Sequence, residues 1–371
     1  MLQHTPVQTF HMEERKRRYR SGGFFLRVGL LAFLLLVPLL FPSFKTVDLA
    51  LKIVIFSVLV ASFDILLGYT GILSFGHAMF FGIGAYSVGL LMGKFGTPSY
   101  QNLIIAFAVA VLSSSVIALL ISFISLRVKA IFFAMVTLAI GELAIILATK
   151  LTGLTGGEDG ISLSMPGIFS VGFSLGPIFG VEITGRMISY YFIILLSTGL
   201  FLLMLRFIHS PLGRVLQAIR DNEQRAEALG YRTFIFQTIS ICFGSVLASI
   251  TGALYAMWVG YMNPESCLGV ITIMLEVLLM VIIGGMGTLY GAIVGAAFLK
   301  ITQTYLPDLQ GVTRALFPNA DVLHSTMERW LLILGVLFIL VVFFFPRGVI
   351  GTVREFQARR KGRAAPLAKE S

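Results

Sequence analysis

The chain has 371 residues, 57% of them hydrophobic and only 12% charged. Many apolar runs approach or exceed the roughly 18 to 20 residues needed to cross a bilayer, which excludes a water-soluble domain and, because a barrel needs short alternating segments, a β-barrel. The formal charge of +10 is not a nucleic-acid footprint, because the basic residues fall on particular loops between the apolar runs.

In chain order, residues 1–23 form a polar tail with Arg15, Lys16, Arg17, Arg18 and Arg20. The apolar run 24–41 ends in Phe41-Pro42 with no small-residue cleavage site, so it reads as a retained signal anchor. Further spans are expected over 47–67, the glycine-rich 71–92, 101–124 and 130–149. A glycine- and serine-rich outer loop, 151–187, precedes a span over 188–207. The polar stretch 209–232 and a span over 233–259 follow. The run 268–300 is broken by Gly284-Gly285-Met286-Gly287-Thr288, and the last span, 328–345, opens a basic tail over 351–371. The transmembrane domain is read as 24–350. Cys242 and Cys267 lie about one helix length apart, with neither disulfide nor metal spacing.

Charge sets the topology. The N-terminal tail through Arg27, the 125–129 loop, the stretch from Arg206 to Arg232 and the C-terminal end from Arg347 on together hold 20 of the 28 lysines and arginines. If these regions are cytoplasmic, both termini are inside and the number of crossings is even. Counting 268–300 as two short crossings gives about ten. The fold class is therefore all-α: a polytopic membrane helical bundle with short, glycine-broken helices and both termini cytoplasmic. Broken membrane helices are tolerated where they line a cavity or pack on protein, and in transporters they mark the substrate path. The glycine spacing of Gly68-Tyr69-Thr70-Gly71 resembles that of Gly284-Gly285-Met286-Gly287, as an internal repeat would, although chance spacing explains it as well.

The stretch from Gly213 to Gly230 is the one long charge-rich segment between strongly apolar runs. Leu212, Val215, Leu216 and Ile219 share one face of a first short helix. Asp221 stands as the cap of a second, with Gln224 in the capping-box position, and Ala226 and Leu229 continue the apolar stripe. Gly230 sits where a left-handed cap would stop it. Two short helices held between spans make a rigid cytoplasmic knob, a docking surface for a soluble partner. A solvated basic loop that only sets topology fits the composition equally well.

The segment Gly71-Ile72-Leu73-Ser74-Phe75-Gly76-His77-Ala78-Met79-Phe80-Phe81-Gly82-Ile83-Gly84 spaces small residues closely. Either it lines a central passage, with Ser74 and His77 offering hydrogen bonds, or its glycines only permit tight packing. Asp64 stands near the cytoplasmic end of its span as an interface residue, and Lys52 near a span end can snorkel. Glu142 and Glu276 sit deeper, expected to face the bundle interior, where each either serves a pathway or fixes helix register. Ser74, Gly76, His77, Gly82, Glu142, Glu276, Gly284 and Gly285 are the translocation-pathway candidates. Leu154-Thr155-Gly156-Gly157-Glu158-Asp159-Gly160-Ile161, at the start of the outer loop, meets an extracytoplasmic partner or is a plain linker. No Gly-x-x-x-x-Gly-Lys-Ser/Thr loop and no His-Glu-x-x-His pair occurs, so no enzyme and no nucleotide site of this chain's own is expected.

Taken together, the Gly68 to Tyr86 run, the Leu154 to Ile161 stretch, Ser210-Pro211-Leu212-Gly213-Arg214 through Glu227-Ala228-Leu229-Gly230, Ala253-Leu254-Tyr255-Ala256 and Gly284 to Gly291 resemble the branched-chain amino acid permeases of ABC importers, closest to the LivM-type subunit that pairs with a second permease. The resemblance covers roughly residues 47–350. Phe75 and Met79 depart from the Leu and Ala more usual there. The resemblance implies a heteromeric importer: an external binding protein, two related permease subunits, and two cytoplasmic ATPases that bind the ATP, so that this chain holds no cofactor. It makes 209–232 the ATPase-coupling loop, with Gly213, Arg214, Arg220, Asp221, Glu223, Arg225, Glu227 and Gly230 as coupling residues, and places the chain in a bacterial inner membrane. The substrate implied is a branched-chain amino acid, with urea or a short amide as the family's alternative. The competing readings from other classes are an ion-coupled carrier using Glu142, Glu276 and His77, and a scaffold without transport.

Overall fold

The computed structural model describes residues 29, 34–41, 43–126, 130–170, 172–178, 181–308, 329–346 and 348–352. The described residues up to Ala50 and those from Leu51 on fall into two compact units. In the first, residues 34–40 are helical and Thr46 Oγ1 donates to the Ser43 carbonyl at 2.8 Å, closing the turn into the next helix. That helix, α1, runs Phe44–Asp64 and continues as a π-helical turn, Ile65–Thr70.

In the second unit, α2 (His77–Gly89) passes into a π turn at Leu90–Lys94. Then come α3 (Tyr100–Ser125), α4 (Ala130–Lys150), α5 (Gly185–Ile208), the short α6 (Pro211–Asp221) and α7 (Glu223–Ala228), and the long α8 (Thr233–Val259). A one-turn α9 (Pro264–Leu268) and a π turn (Val270–Met274) lead into α10 (Leu275–Gly284), α11 (Leu289–Tyr305) and α12 (Trp330–Phe344). Among the described residues, six helical stretches are long and apolar enough to cross a bilayer: Phe44–Thr70, Tyr100–Ser125, Ile131–Lys150, Gly185–Ile208, Thr233–Val259 and Trp330–Thr352. The pair Val270–Gly284 and Leu289–Tyr305, bent by 116°, makes a seventh if counted once. The chain is thus a mostly helical, multi-pass membrane protein.

A count of about ten adds 24–41 and 71–92 and takes the bent pair as two. Half of the run 24–41 lies outside the described residues, as does most of both charged tails. The run 71–92 is not one helix: Gly71, at φ 78°, ends the π turn after α1, residues 71–76 are non-helical, and α2 begins only at His77. The helical bundle carries two small exceptions to an all-α description. Strand β1 (Ile161–Ser162) pairs antiparallel with β4 (Tyr261–Met262), and β2 (Ser174–Ile178) with β3 (Val181–Thr184). The loop 151–187 needs backbone partners that a helix would otherwise supply, and these ribbons provide them.

Helix α2 is the innermost element. Every residue of it except Ile83 is buried, as befits a helix apolar on all sides. It lies between α8 and α3. The approach of α2 to α8 is at backbone contact: a Cβ on Gly84 would fall 1.7 Å from the Ser249 carbonyl oxygen, and one on Gly252 would fall 1.8 Å from that of Phe81. Small residues at a membrane-helix interface permit such contact, which replaces the hydrophobic drive that lipid cannot supply. Ser249 Oγ donates onward to the Ala110 carbonyl at 3.0 Å, tying α8 to α3.

Two alanine substitutions test this packing. Gly84→Ala and Gly252→Ala must push α2 from α8, at a cost of about 1–3 kcal/mol each. Gly199→Ala, with nothing within 4 Å of its Cβ, gains up to about 1 kcal/mol from helix propensity. Thermal unfolding of the purified chain in detergent should rank the three accordingly; a wild-type melting temperature for Gly84→Ala would contradict the close contact.

Candidate functional site

The polar stretch after α5 folds as two short helices. Ser210 caps α6 by accepting from the Gly213 N–H at 3.3 Å, and Pro211 occupies the first turn, where its missing N–H costs nothing. Gly213, Leu216 and Ile219 are buried, whereas Leu212 on the expected apolar face is exposed. The second cap is Asn222 and not Asp221: Asn222 Oδ1 accepts from the Arg225 N–H at 2.9 Å. Helix α6 continues through Asp221, so the chain first becomes extended, as a cap residue must, at Asn222, with φ −163° and ψ 103°. Gly230 has φ 90°, and the Tyr231 N–H returns to the Ala226 carbonyl at 3.2 Å, the left-handed stop the sequence suggests. The expected stripe of Ala226 and Leu229 splits. Ala226 is buried, but Leu229 is 73% exposed.

The charged residues of this knob are all exposed and divide by what they bond. Glu223 accepts from Gln237 Nε2 at 3.0 Å and Glu227 from Thr233 Oγ1 at 2.8 Å, so both acids fasten α7 to the start of α8. Arg220 reaches the bundle: its Nη1 donates to the carbonyl of Gly68, in the π turn after α1. Four residues before Gly68, Asp64 Oδ1 accepts from the Gly287 N–H at 2.8 Å. Asp64 is 1% exposed, so the interface position expected for it is replaced by a buried one. A buried carboxylate needs donors, and the glycine loop supplies one.

No side chain fits at Gly68. A Cβ there would lie 2.1 Å from Asp64 Oδ1 and 2.3 Å from the Gly287 nitrogen. The knob, the end of α1 and the loop 285–288 thus meet at one point. The two glycine-rich segments with similar spacing turn out to be neighbours in space, Gly68 against Gly287. Asp64, Gly68 and Gly287 were not among the candidate residues. The signal available was an acid and a glycine four positions apart, hence on one helix face.

Loop 285–288 is the vertex of the hairpin formed by α10 and α11. Close contacts run along its arms: Gly284 against the Gly291 carbonyl, and Gly295 against that of Met280. The hairpin closes further along at Glu276 and Lys300. Glu276 Oε2 stands 2.6 Å from Lys300 Nζ, and Gln303 Nε2 donates to Glu276 Oε1 at 2.7 Å. Lys300 also lies 3.7 Å from the centre of the Phe56 ring. Both oxygens of Glu276 are therefore engaged in holding the arms together. Sequence reasoning missed Lys300, which reads simply as the polar end of a span.

The remaining pathway candidates separate. Ser74, His77 and Gly82 are buried in helix contacts. His77 Nε2 is 2.9 Å from Ser62 Oγ, and its ring lies 5.4 Å from that of Phe63. A Cβ on Gly76 would meet the Thr137 carbonyl at 3.1 Å, and one on Gly82 would meet Leu268. Glu142, expected to face the bundle interior, is exposed on α4. At the end of the bundle carrying β1 and β4, a cavity of about 390 Å³ is lined by Arg186, Ser170, Ser189, Phe169 and Trp258 among others. The Arg186 guanidinium there sits 4.9 Å from the centre of the Trp258 ring.

Asp64 offers a direct test of the junction. Asp64→Ala leaves the buried Gly287 N–H without a partner, a loss of about 1–3 kcal/mol, whereas Asp64→Asn keeps a carbonyl oxygen in place and loses less. Melting of the two variants in detergent should separate them in that order; equal melting would contradict the bond.

The sequence model of the branched-chain amino acid transport system / permease component family matches residues 45–342. The high-affinity branched-chain amino acid transport system permease protein LivM of Salmonella typhimurium is 28% identical over 348 residues, covering 89% of this chain and 76% of the relative. LivM of Escherichia coli K12 is 28% identical over 334 residues, covering 86% and 73%. The probable branched-chain amino acid transport permease protein LivM of Methanocaldococcus jannaschii is 26% identical over 314 residues, covering 76% and 86%. No solved structure matches the chain significantly. With the family match running from α1 into α12 and through every feature of the site, the chain belongs to the permease components of branched-chain amino acid transport systems.

Proposed function

We propose that this chain is one permease subunit of a binding-protein-dependent ABC importer that carries branched-chain amino acids across a bacterial inner membrane. In this reading it pairs with a second, related permease, receives substrate from an extracytoplasmic binding protein, and is driven by two cytoplasmic ATPase subunits that bind the nucleotide. Both termini are cytoplasmic and the crossings number about ten.

The observation that carries the proposal is the reach of Arg220 out of the knob to the Gly68 carbonyl, beside the Asp64–Gly287 bond. An engine on a separate polypeptide needs a surface to push and a stiff route into the bundle. Helices α6 and α7 give the surface, with Arg214, Asp221, Arg225 and Leu229 turned outward. Arg220 gives the route, while Glu223 and Glu227 carry the same push to α8. The names of the similar permeases favour branched-chain substrates over urea or amides. An ion-coupled carrier finds less support, because Glu276 is held by Lys300, His77 is packed on Ser62, and Glu142 stands on an outward face.

The test is uptake of labelled leucine by vesicles holding the assembled complex. Uptake should require ATP, the binding protein and the ATPase subunits, and the latter should co-purify with this chain. Gly230→Val puts a branched side chain at φ 90°, where L residues are strained, and distorts the exposed end of the knob. That variant should hydrolyse ATP while its uptake falls at least tenfold. Accumulation without nucleotide hydrolysis, or normal uptake by Gly230→Val, would overturn the reading.

A further inference from the structure

We propose that the outward stripe of α4, made by Ile131, Met135, Leu138 and Glu142, is the surface on which a second, non-identical permease chain docks, and that this chain presents a hydrogen-bond donor to Glu142. The inference rests on the importer reading and adds to it the face, the anchoring residue and the chemistry of the partner.

The four residues recur at spacings of four, three and four, so they share one face of the helix. All four are exposed; Ile131 and Met135 are 76% and 61% accessible. The opposite face is internal: Phe133 and Thr137 are buried, and Thr137 Oγ1 accepts from the Phe75 N–H at 3.1 Å. Helix α4 is one of the helices long and apolar enough to cross the membrane. Glu142 lies twelve residues from Ala130 and eight from Lys150, about 18 Å and 12 Å along the axis. It is therefore near mid-membrane, deeper than a short acidic side chain can climb to water. A carboxylate at that depth facing lipid is costly, and such groups face protein or a wet cavity.

The adjoining backbone points the same way. Residues 71–76 are non-helical, and Gly71 is exposed. With Leu73 and Phe75, Gly71 forms one wall of an open cavity of about 390 Å³ whose other wall is Ile131, Ala134, Met135 and Leu138. Irregular backbone in a membrane is tolerated only where protein or water covers it. Non-helical backbone thus walls this groove, and the Glu142 carboxylate follows one helical turn beyond Leu138 on the same exposed face; lipid suits neither.

Depth selects the occupant. A soluble ATPase or binding protein does not reach mid-bilayer, so the cover is another membrane chain. Charge selects further. If two copies met through this stripe about a two-fold axis, their carboxylates would approach one another. A partner with a hydroxyl, amide or cationic donor removes that conflict.

The test uses the full complex, co-expressed with its own ATPase and permease genes. A benzophenone amino acid is placed at Leu138, and as a control at Val116, which is exposed on α3. Irradiation should join position 138 to the second permease, identified by mass spectrometry, and position 116 should give under a tenth of that yield. Glu142→Lys should lower recovery of the second permease at least tenfold in a pull-down, whereas Glu142→Gln, which still accepts a hydrogen bond, should keep it within twofold. No adduct at 138, an adduct only to another copy of this chain, equal yield at 116, or undiminished recovery with Glu142→Lys would each overturn the proposal. If the ATPases fail to co-purify with the wild-type chain, the importer reading fails instead, whatever position 138 labels.

Discussion

The structure turns on a point where two glycine backbones meet with no room for a Cβ between them and a third segment sends in a charged side chain. Arg220 comes from the polar knob, Gly68 from the π turn after α1, and Gly287 from the vertex of the α10–α11 hairpin. Asp64, buried one helical turn before Gly68, accepts the vertex N–H. Each contact answers an unfavourable alternative: a glycine-rich loop with unsatisfied backbone groups on one side, and a buried carboxylate without donors on the other. Arg220 binds the helix end at Gly68, and Asp64, one turn earlier, binds the loop through one of its two oxygens. Displacement of the knob is then felt at two distant parts of the chain.

From that junction the hairpin extends inward as a stiff unit. Its arms touch backbone to backbone at Gly284, Gly291 and Gly295, and Glu276 and Lys300 fasten them further along. A pair of arms without such a clasp would splay under load. Helix α2, buried between α8 and α3, forms the inner wall of the bundle. The two deep carboxylates named from sequence thus have opposite circumstances. Glu276 is satisfied within the chain, while Glu142 faces out.

Much of the fold was legible because membrane helices announce themselves by length and hydropathy: the span expected over 233–259 coincides with α8, and that over 101–124 falls inside α3. The left-handed Gly230 was legible too, because only glycine takes that conformation cheaply. The cap at Asn222 was missed by one residue, since Asp and Asn cap equally well and the end of α6 decides between them. The break over 71–76 was hidden because its residues are as apolar as a helix would be, and the stop comes from backbone geometry at Gly71. The direction of Glu142 was illegible for a deeper reason. An intramembrane acid is expected to face inward, whereas Glu142 stands on an outward face of α4, and the apolar residues around it are alike on both faces. The junction at Gly68 joins residues 152 and 223 positions apart, which no local pattern reveals.

The most direct measurement is the number of ATP molecules hydrolysed per leucine delivered by the reconstituted complex carrying Arg220→Ala. If Arg220 is the link between the knob and the two glycine loops, hydrolysis continues near the wild-type rate while delivery falls at least tenfold, so that the ratio rises by the same factor. An unchanged ratio at full uptake would contradict the account, because force would then reach the bundle without that contact.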